Sequence, residues 1–346
     1  MKYYISEGEN EQKFNATNKA RSDAEKIFEM QNFKKIVVPT KYKRETNKLL
    51  KIKQIRYLLS NYFIWKRTLK VLNENDTVVI QYPILNSLFG LNKILKKLKK
   101  RKINTVLLIH DLDSLRNSKK NIILKEDYKN LNSASKVIVH NDKMKNEVEK
   151  MNVDSSKIIV LGIFDYLFKQ IDYKNRNKDN EIIIAGNLSK QKTKYIEKLN
   201  KLSKINFNLY GIGYEKSEED INIKYCGKFP PEELLNELDG SFGLIWDGDS
   251  LESCTGNLGN YLRFNNPHKT SLYLTAGIPV IVWSKSAISD FVNKNNVGIT
   301  VDSLYELEEK ITNIKSEEYS VMLDNAKKLS AKLKEGYFLS NALNSL

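Results

Sequence analysis

Pro267-His268-Lys269-Thr270-Ser271 stands directly before a short run, Leu272-Tyr273-Leu274-Thr275-Ala276, that closes at Gly277-Ile278-Pro279. The proline stops the preceding segment, the next residues open a helix, and the glycine ends it ahead of an apolar strand, Val280-Ile281-Val282. The first amides of such a helix lack intrahelical partners and sit at the positive end of its dipole, where phosphate binds. Lys269 adds a cation there, and Thr270 and Ser271 add hydroxyls. The chemistry this supports is capture of a phosphate or diphosphate. A capped helix with a surface lysine fits the same pattern.

A second set is His110-Asp111-Leu112-Asp113-Ser114-Leu115-Arg116, which follows the apolar run Thr105–Ile109. The carboxyl end of a buried strand faces the ligand side of an α/β sheet. An imidazole or carboxylate there takes a proton from a hydroxyl or orients it, and Arg116 can hold an anion. Two carboxylates and one histidine on a loop are not a metal signature, and no metal is expected. His140 ends a strand in the same way. Either it lines the ligand side, or Asn141 or Asp142 caps the next helix.

The elements that must position these groups alternate along the chain. Apolar runs without polar alternation at 35–38, 77–82, 105–110 and 136–140 read as strands covered on both faces. Helical patterns intervene at about 18–32, 49–72, 87–102 and 141–151. A polar stretch, 170–180, reads as a linker. The pattern then restarts, with strands at 181–186, 207–211, 223–227, 242–247 and 279–283, several entering glycine turns. Two α/β domains of this kind bring the carboxyl ends of both sheets to a shared cleft.

The chain of 346 residues has two cysteines, too few for a disulfide framework or a four-thiolate zinc site. No stretch approaches a membrane span and the N-terminus has no apolar signal core, so a cytoplasmic protein is expected. The charge is uneven. Residues 1–173 hold 35 Lys and Arg against 19 Asp and Glu, whereas 174–346 hold 22 against 23. Such asymmetry points to an anionic partner or to lysine on every solvated face. The basic, aromatic segment 49–72 fits a membrane surface, a partner protein or an ordinary domain helix. No nucleic-acid motif accompanies the charge, and nucleic acid is not an expected partner.

A Pro-x-Lys before a helix that ends in Ala-Gly-x-Pro-Val-Ile resembles the nucleotide-sugar site of glycosyltransferases with the GT-B fold. The stretch Gly259–Lys269, continued by Tyr273–Trp283, Asn295–Ile299 and Ser303-Leu304, resembles one bacterial group more closely. That group includes glucosyltransferases that extend O-linked GlcNAc on serine-rich-repeat adhesins, and relatives that are galactofuranosyltransferases. Asn15–Asp23 fits its first loop and helix. The likeness spans most of the chain and is most specific over 257–304.

The resemblance implies two Rossmann-like doubly wound domains facing a cleft. Residues 1–172 would serve the acceptor and 181–320 the nucleotide sugar, while 321–346 would be helical and return to the first domain. It implies UDP-sugar as donor substrate, with no cofactor, and transfer of glucose or a related hexose to a glycan. The acceptor would be GlcNAc O-linked to Ser or Thr of a serine-rich-repeat adhesin. The alternatives are galactofuranosyl or other hexosyl transfer in polysaccharide synthesis, or a non-catalytic GT-B partner or chaperone of another transferase. The intact phosphate-site sequence argues against the last. A second copy of the chain is an expected partner.

Residue by residue, Lys269 would meet a phosphate, with Thr270 and Ser271 facing the diphosphate and Asn266 and His268 beside them. Asn187 and Lys190 would supply further contacts. Tyr210, Gly211 and Gly227 would line the nucleotide pocket. His110, Asp111 and Arg116 would serve the reaction, and Asn15 and Thr17 the acceptor loop. Many GT-B enzymes carry two glutamates eight positions apart here. Phe264 and Leu272 occupy those positions, so ribose recognition would fall to Asp247 or Asp249.

Overall fold

Val78, Val79 and Ile80 lie at the centre of a run in which both faces are buried, as do Ile182, Ile183 and Ile184. Strands of this composition form a sheet only when helices cover both sides. The computed structural model describes residues 1–7, 16–38, 51–85, 90–116 and 121–346. It contains two such sheets. The first comprises β1 (Lys2–Ser6), β2 (Lys34–Val37), β3 (Thr77–Tyr82), β4 (Asn104–Ile109), β5 (Lys136–Val139) and β6 (Ile158–Val160). The second comprises β7 (Glu181–Asn187), β8 (Asn206–Ile212), β9 (Ile223–Gly227), β10 (Phe242–Ile245), β11 (Val280–Trp283) and β12 (Gly298–Val301).

Every neighbouring pair is parallel. The first sheet runs in the order β2-β1-β3-β4-β5-β6 and the second β12-β11-β10-β7-β8-β9. Counted from its own first strand, the second is the 3-2-1-4-5-6 order of the dinucleotide-binding fold. Its chain direction reverses between β7 and β10; in the first sheet the reversal falls between β1 and β3. Open α/β sheets hold ligands outside the carboxyl ends of the strands at such points.

The chain divides into two compact units. One holds Met1–Glu11, Ala24–Leu161 and Ser340–Leu346; the other holds Gln12–Asp23 and Gly162–Leu339. The boundary therefore falls before the polar stretch 170–180 rather than within it. The helix Ser316–Lys334 belongs to the second unit, and of the segment 321–346 only the last residues belong to the first. Among the described residues no helix is long and apolar enough to cross a membrane.

The expected helices form at Ala16–Met30, Lys51–Thr68, Leu91–Lys100 and Asp142–Lys150. Asn141 caps the last, accepting the Met144 amide at 2.9 Å. Three strands escape the apolar-run criterion: β1, β6 and β12. β1 reads Lys-Tyr-Tyr-Ile-Ser, with few aliphatics, yet it is an interior strand and its Tyr4 is fully buried. Tyr4 keeps its hydroxyl satisfied by donating to Glu29 at 2.6 Å.

One contact in the second unit shapes the crevice. The helix His268–Thr275 inserts Tyr273 against the sheet, where its hydroxyl accepts the Ala185 amide at 2.7 Å and donates to the Ile183 carbonyl at 3.3 Å. β7 and β10 pair only over Ile182-Ile183 and Phe242-Gly243. Beyond that point the β7 backbone bonds to Tyr273 instead of to β10, and the strands part. Gly243 permits it, because a Cβ there would lie 2.3 Å from the Tyr273 ring.

Candidate functional site

Lys269 is the second residue of its helix, and the side chain runs back to the end of β10. Its ammonium lies 3.1 Å from Asp247 Oδ1 and 3.3 Å from the Trp246 carbonyl. The side chains of Lys269 and Asp247 are 13% and 9% exposed, so the pair is nearly buried and still reachable. Trp246 fixes the approach. Its indole donates to the Ser250 carbonyl at 2.9 Å and meets Trp283 edge-on at 6.5 Å. Across the reversal point, β7 ends at Asn187, whose Oδ1 accepts the Ser189 amide at 2.9 Å and turns the chain away. The amides of His268 and Lys269 precede the first intrahelical bonds. The crevice therefore gathers one cation, one carboxylate and a helix start.

The other expected nucleotide contacts divide differently. Thr270 and Ser271 are fully buried; the Thr270 amide closes on the Pro267 carbonyl at 2.9 Å, and Ser271 Oγ donates to the Phe164 carbonyl at 2.6 Å. The Ser271 hydroxyl thus anchors the helix, whereas Thr270 Oγ1, equally buried, has no hydrogen-bond partner among the described residues, a costly state for a polar group. Asn266 donates to the Gly162 carbonyl at 2.6 Å. Tyr210 donates to the Glu237 carbonyl and accepts the Asp239 amide. Gly211 is required by packing: a Cβ would lie 1.8 Å from the Gly186 carbonyl oxygen. At Gly227 a Cβ would only touch the Phe229 ring. Lys190 is exposed and pairs with Glu197 at 3.0 Å and Glu215 at 3.3 Å. Asp249 accepts the Thr255 hydroxyl, which holds its pKa below the usual carboxylate range.

His268 has a distinct role. Its ring lies 5.2 Å from Tyr166 and 6.1 Å from Phe164, and its buried Nε2 has no partner among the described residues. Burial first, and then the Lys19 ammonium, push its pKa down to about 3, so it is neutral at physiological pH. Lys19 pairs with Asp23 at 2.6 Å, donates to the Leu167 carbonyl at 2.7 Å and stands over the Tyr166 ring at 4.6 Å. Nearby, burial pushes the Asp165 carboxyl up to about 7, although it accepts the Phe338 and Leu339 amides. Lys19 and Asp23 lie in the quoted first-helix stretch, but nothing in their spacing announces a buried pair. The role of Tyr273 has one trace in the sequence, the glycine inside the β10 pattern.

In the first unit, His110 follows β4. Its Nε2 meets Gln81 Oε1 at 2.7 Å, and its amide donates to the Tyr82 carbonyl at 2.7 Å. Arg116 lies 3.8 Å from both Asp111 and Asp113, a loose bracket. His110, Asp111 and Arg116 thus share one strand end, with the ring oriented by a buried glutamine. His140 is buried, hydrogen-bonds the Ile109 carbonyl at 3.0 Å, and burial lowers its pKa to about 4. It is part of the core, and Asn141 performs the capping. Asn15 and the Thr17 side chain lie outside the described residues.

Two doubly wound parallel sheets, the second in dinucleotide-binding order with a lysine and a helix start at its reversal point, define a glycosyltransferase of the GT-B fold. The solved structure of HepE from Anabaena in complex with UDP is similar, with a TM-score of 0.61 at 12% identity, covering all of both chains. Residues 2–163 match the glucosyltransferase 3-like N-terminal domain and 182–346 the glucosyltransferase 3-like C-terminal domain, and the chain belongs to that family. It is 35% identical over 280 residues to the beta-1,6-galactofuranosyltransferase WbbI of Escherichia coli, covering 80% of each chain. It is 28% identical over 269 residues to glucosyltransferase 3 of Streptococcus gordonii, covering 78% of each.

Proposed function

We propose that the protein transfers a hexose from a UDP-sugar to a glycan acceptor, with the donor held at the reversal point of the second sheet. The observation that carries this is the Lys269–Asp247 pair: an ammonium held by a carboxylate and a carbonyl, beside the first amides of its helix. The diphosphate of the donor would take the open side of that ammonium. As the bond from the anomeric carbon to UDP breaks, Lys269 and the helix dipole stabilise the charge gathering on the leaving phosphate. The acceptor oxygen forms the new bond to the same carbon. His110 or Asp111 takes its proton, or, in a retaining reaction, the leaving phosphate does. Arg116 holds the carboxylates in register. Neutral His268 forms an uncharged wall beside the helix start, where a second cation would compete with Lys269.

For the acceptor we favour GlcNAc O-linked to a serine-rich-repeat adhesin, in keeping with the glucosyltransferase 3-like family. The higher identity to WbbI supports galactofuranosyl transfer as a second reading. A thermal-unfolding panel of UDP, UDP-glucose and UDP-galactofuranose, run with EDTA, tests both. A bound ligand at about 100 times its Kd adds roughly 2.7 kcal/mol. Stabilisation by UDP-glucose above UDP-galactofuranose favours the first reading and the reverse favours the second. If no UDP compound stabilises, the donor site is wrongly assigned.

A further inference from the structure

A groove of about 180 Å³ lies in the first unit, lined by the helix Lys51–Thr68 with its short extension Leu69–Val71 and by the helix Leu91–Lys100. Its floor is apolar: Leu69, Ile94 and Leu98 reach it from the core below. Its rim is cationic, formed by Lys66, Lys70, Lys97 and Arg101, and no acidic residue lines it among the described residues. Arg101 is fixed in place because its guanidinium donates to the carbonyls of Leu69 and Leu72. Beside the rim, large apolar side chains face water: Phe63 is 60% exposed, Val71 57% and Leu59 51%. The Phe63 ring stands edge-on at 5.8 Å to Tyr62, which itself lines the groove.

Cations alone suit any polyanion. Cations around an apolar floor, flanked by apolar side chains that project into water, suit a surface whose phosphates stand directly over hydrocarbon. An acidic protein or a nucleic acid would leave Phe63, Val71 and Leu59 unmatched. Lysine and arginine side chains carry long apolar stems, so a groove they line can meet hydrocarbon along the stems and phosphate at their charged ends. We propose that this face docks on a membrane leaflet rich in anionic phospholipid. A lipid phosphate sits among Lys66, Lys97 and Arg101, and Phe63 enters the acyl boundary. This contact is separate from the donor site and does not depend on the assigned reaction.

The full chain is sedimented with vesicles of phosphatidylcholine alone and of phosphatidylcholine doped with phosphatidylglycerol. Binding to the doped vesicles only, weakening as salt rises, is expected. Each cation near an anionic surface contributes about fivefold to the partition. The double variant Lys66→Glu/Lys97→Glu is therefore expected to lose more than about tenfold. A control of equal net charge, Lys216→Glu/Lys294→Glu in the second unit, is expected to lose far less. Phe63→Ser is expected to weaken binding without altering its salt dependence. Equal unfolding temperatures and equal UDP affinity show that each variant is folded. The proposal is overturned if the wild type ignores anionic vesicles, if both charge variants lose binding equally, or if polyglutamate or DNA binds while vesicles do not.

Discussion

The ring of Tyr273 fills the space that a side chain at Gly243 would need, 2.3 Å from where a Cβ would sit. The pair keeps β7 and β10 apart at the point where the donor is proposed to bind. Tyr273→Phe removes the hydroxyl and leaves the buried Ala185 amide unpaired, for a loss of about 1–3 kcal/mol in stability. Gly243→Ala displaces the ring itself, so its loss is expected to be larger. Chemical denaturation measures both, and UDP affinity should fall in each. Wild-type stability in Gly243→Ala would mean that the ring is not needed there.

Lys269→Ala is expected to weaken UDP binding by roughly 1.5–3 kcal/mol, the worth of a hydrogen bond to a charged group. It also leaves Asp247 without its ammonium, so the unfolding temperature should drop. Lys269→Arg keeps the charge and should restore stability better than affinity, since its planar fork has a different reach. Calorimetric titration with EDTA present separates the two effects. Unchanged UDP affinity in the alanine variant would move the phosphate site elsewhere.

His110→Ala and Asp111→Ala are expected to leave UDP affinity nearly unchanged. Transfer should fall by about 10² to 10⁴ if either group takes the acceptor proton. A retaining reaction gives a smaller loss, from positioning alone. Gln81→Ala, which removes the partner of the His110 ring, should shift the pH profile of transfer more than it lowers the maximum. Transfer at the wild-type rate in both alanine variants would remove this strand end from the reaction.

His140 makes stability fall in acid. Its folded pKa, about 4, lies below its unfolded value of 6.5. The unfolded chain therefore binds the proton more readily between those values, and stability present above pH 6.5 is lost as pH drops toward 4, by up to about 3 kcal/mol. His268 acts in the same direction. Asp165 acts oppositely, because its raised pKa gives stability that is lost as pH rises from about 4 to about 7. Comparing His140→Gln with the wild type across that range isolates the histidine. The variant should show the shallower acid slope, and parallel curves would contradict the assignment.

Much of this was legible in the residues. Seven of the nine strands that show in the sequence do so because both their faces are buried, while β2 and β9 are largely exposed edge strands; Lys269 stands out because a proline and a glycine bracket its helix. β1 stayed hidden because its two tyrosines make an interior strand look polar, although the buried Tyr4 hydroxyl is satisfied by Glu29. β6 has only three residues, and β12, Gly-Ile-Thr-Val, breaks its apolar residues with Gly and Thr. The partners of Tyr210, Asn266 and Ser271 are backbone groups brought close by tertiary folding. No spacing rule distinguishes a hydroxyl aimed at a phosphate from one aimed at a carbonyl a hundred residues away. The Lys269–Asp247 pair depends likewise on β10 and its following helix meeting at one sheet end.

The first unit is assembled from residues far apart in the order of synthesis: one interior strand is Lys2–Ser6, and it also takes in Ser340–Leu346, where Leu343 is buried. A ribosome has therefore produced nearly every residue of the second unit before it releases the last piece of the first. Throughout that interval the nascent first unit lacks residues 340–346, and a fragment that stops at Leu161 never gains them. Apolar surface left uncovered in such a partial fold invites aggregation or chaperone capture. The order of manufacture thus delays completion of the first unit until residues 340–346 emerge.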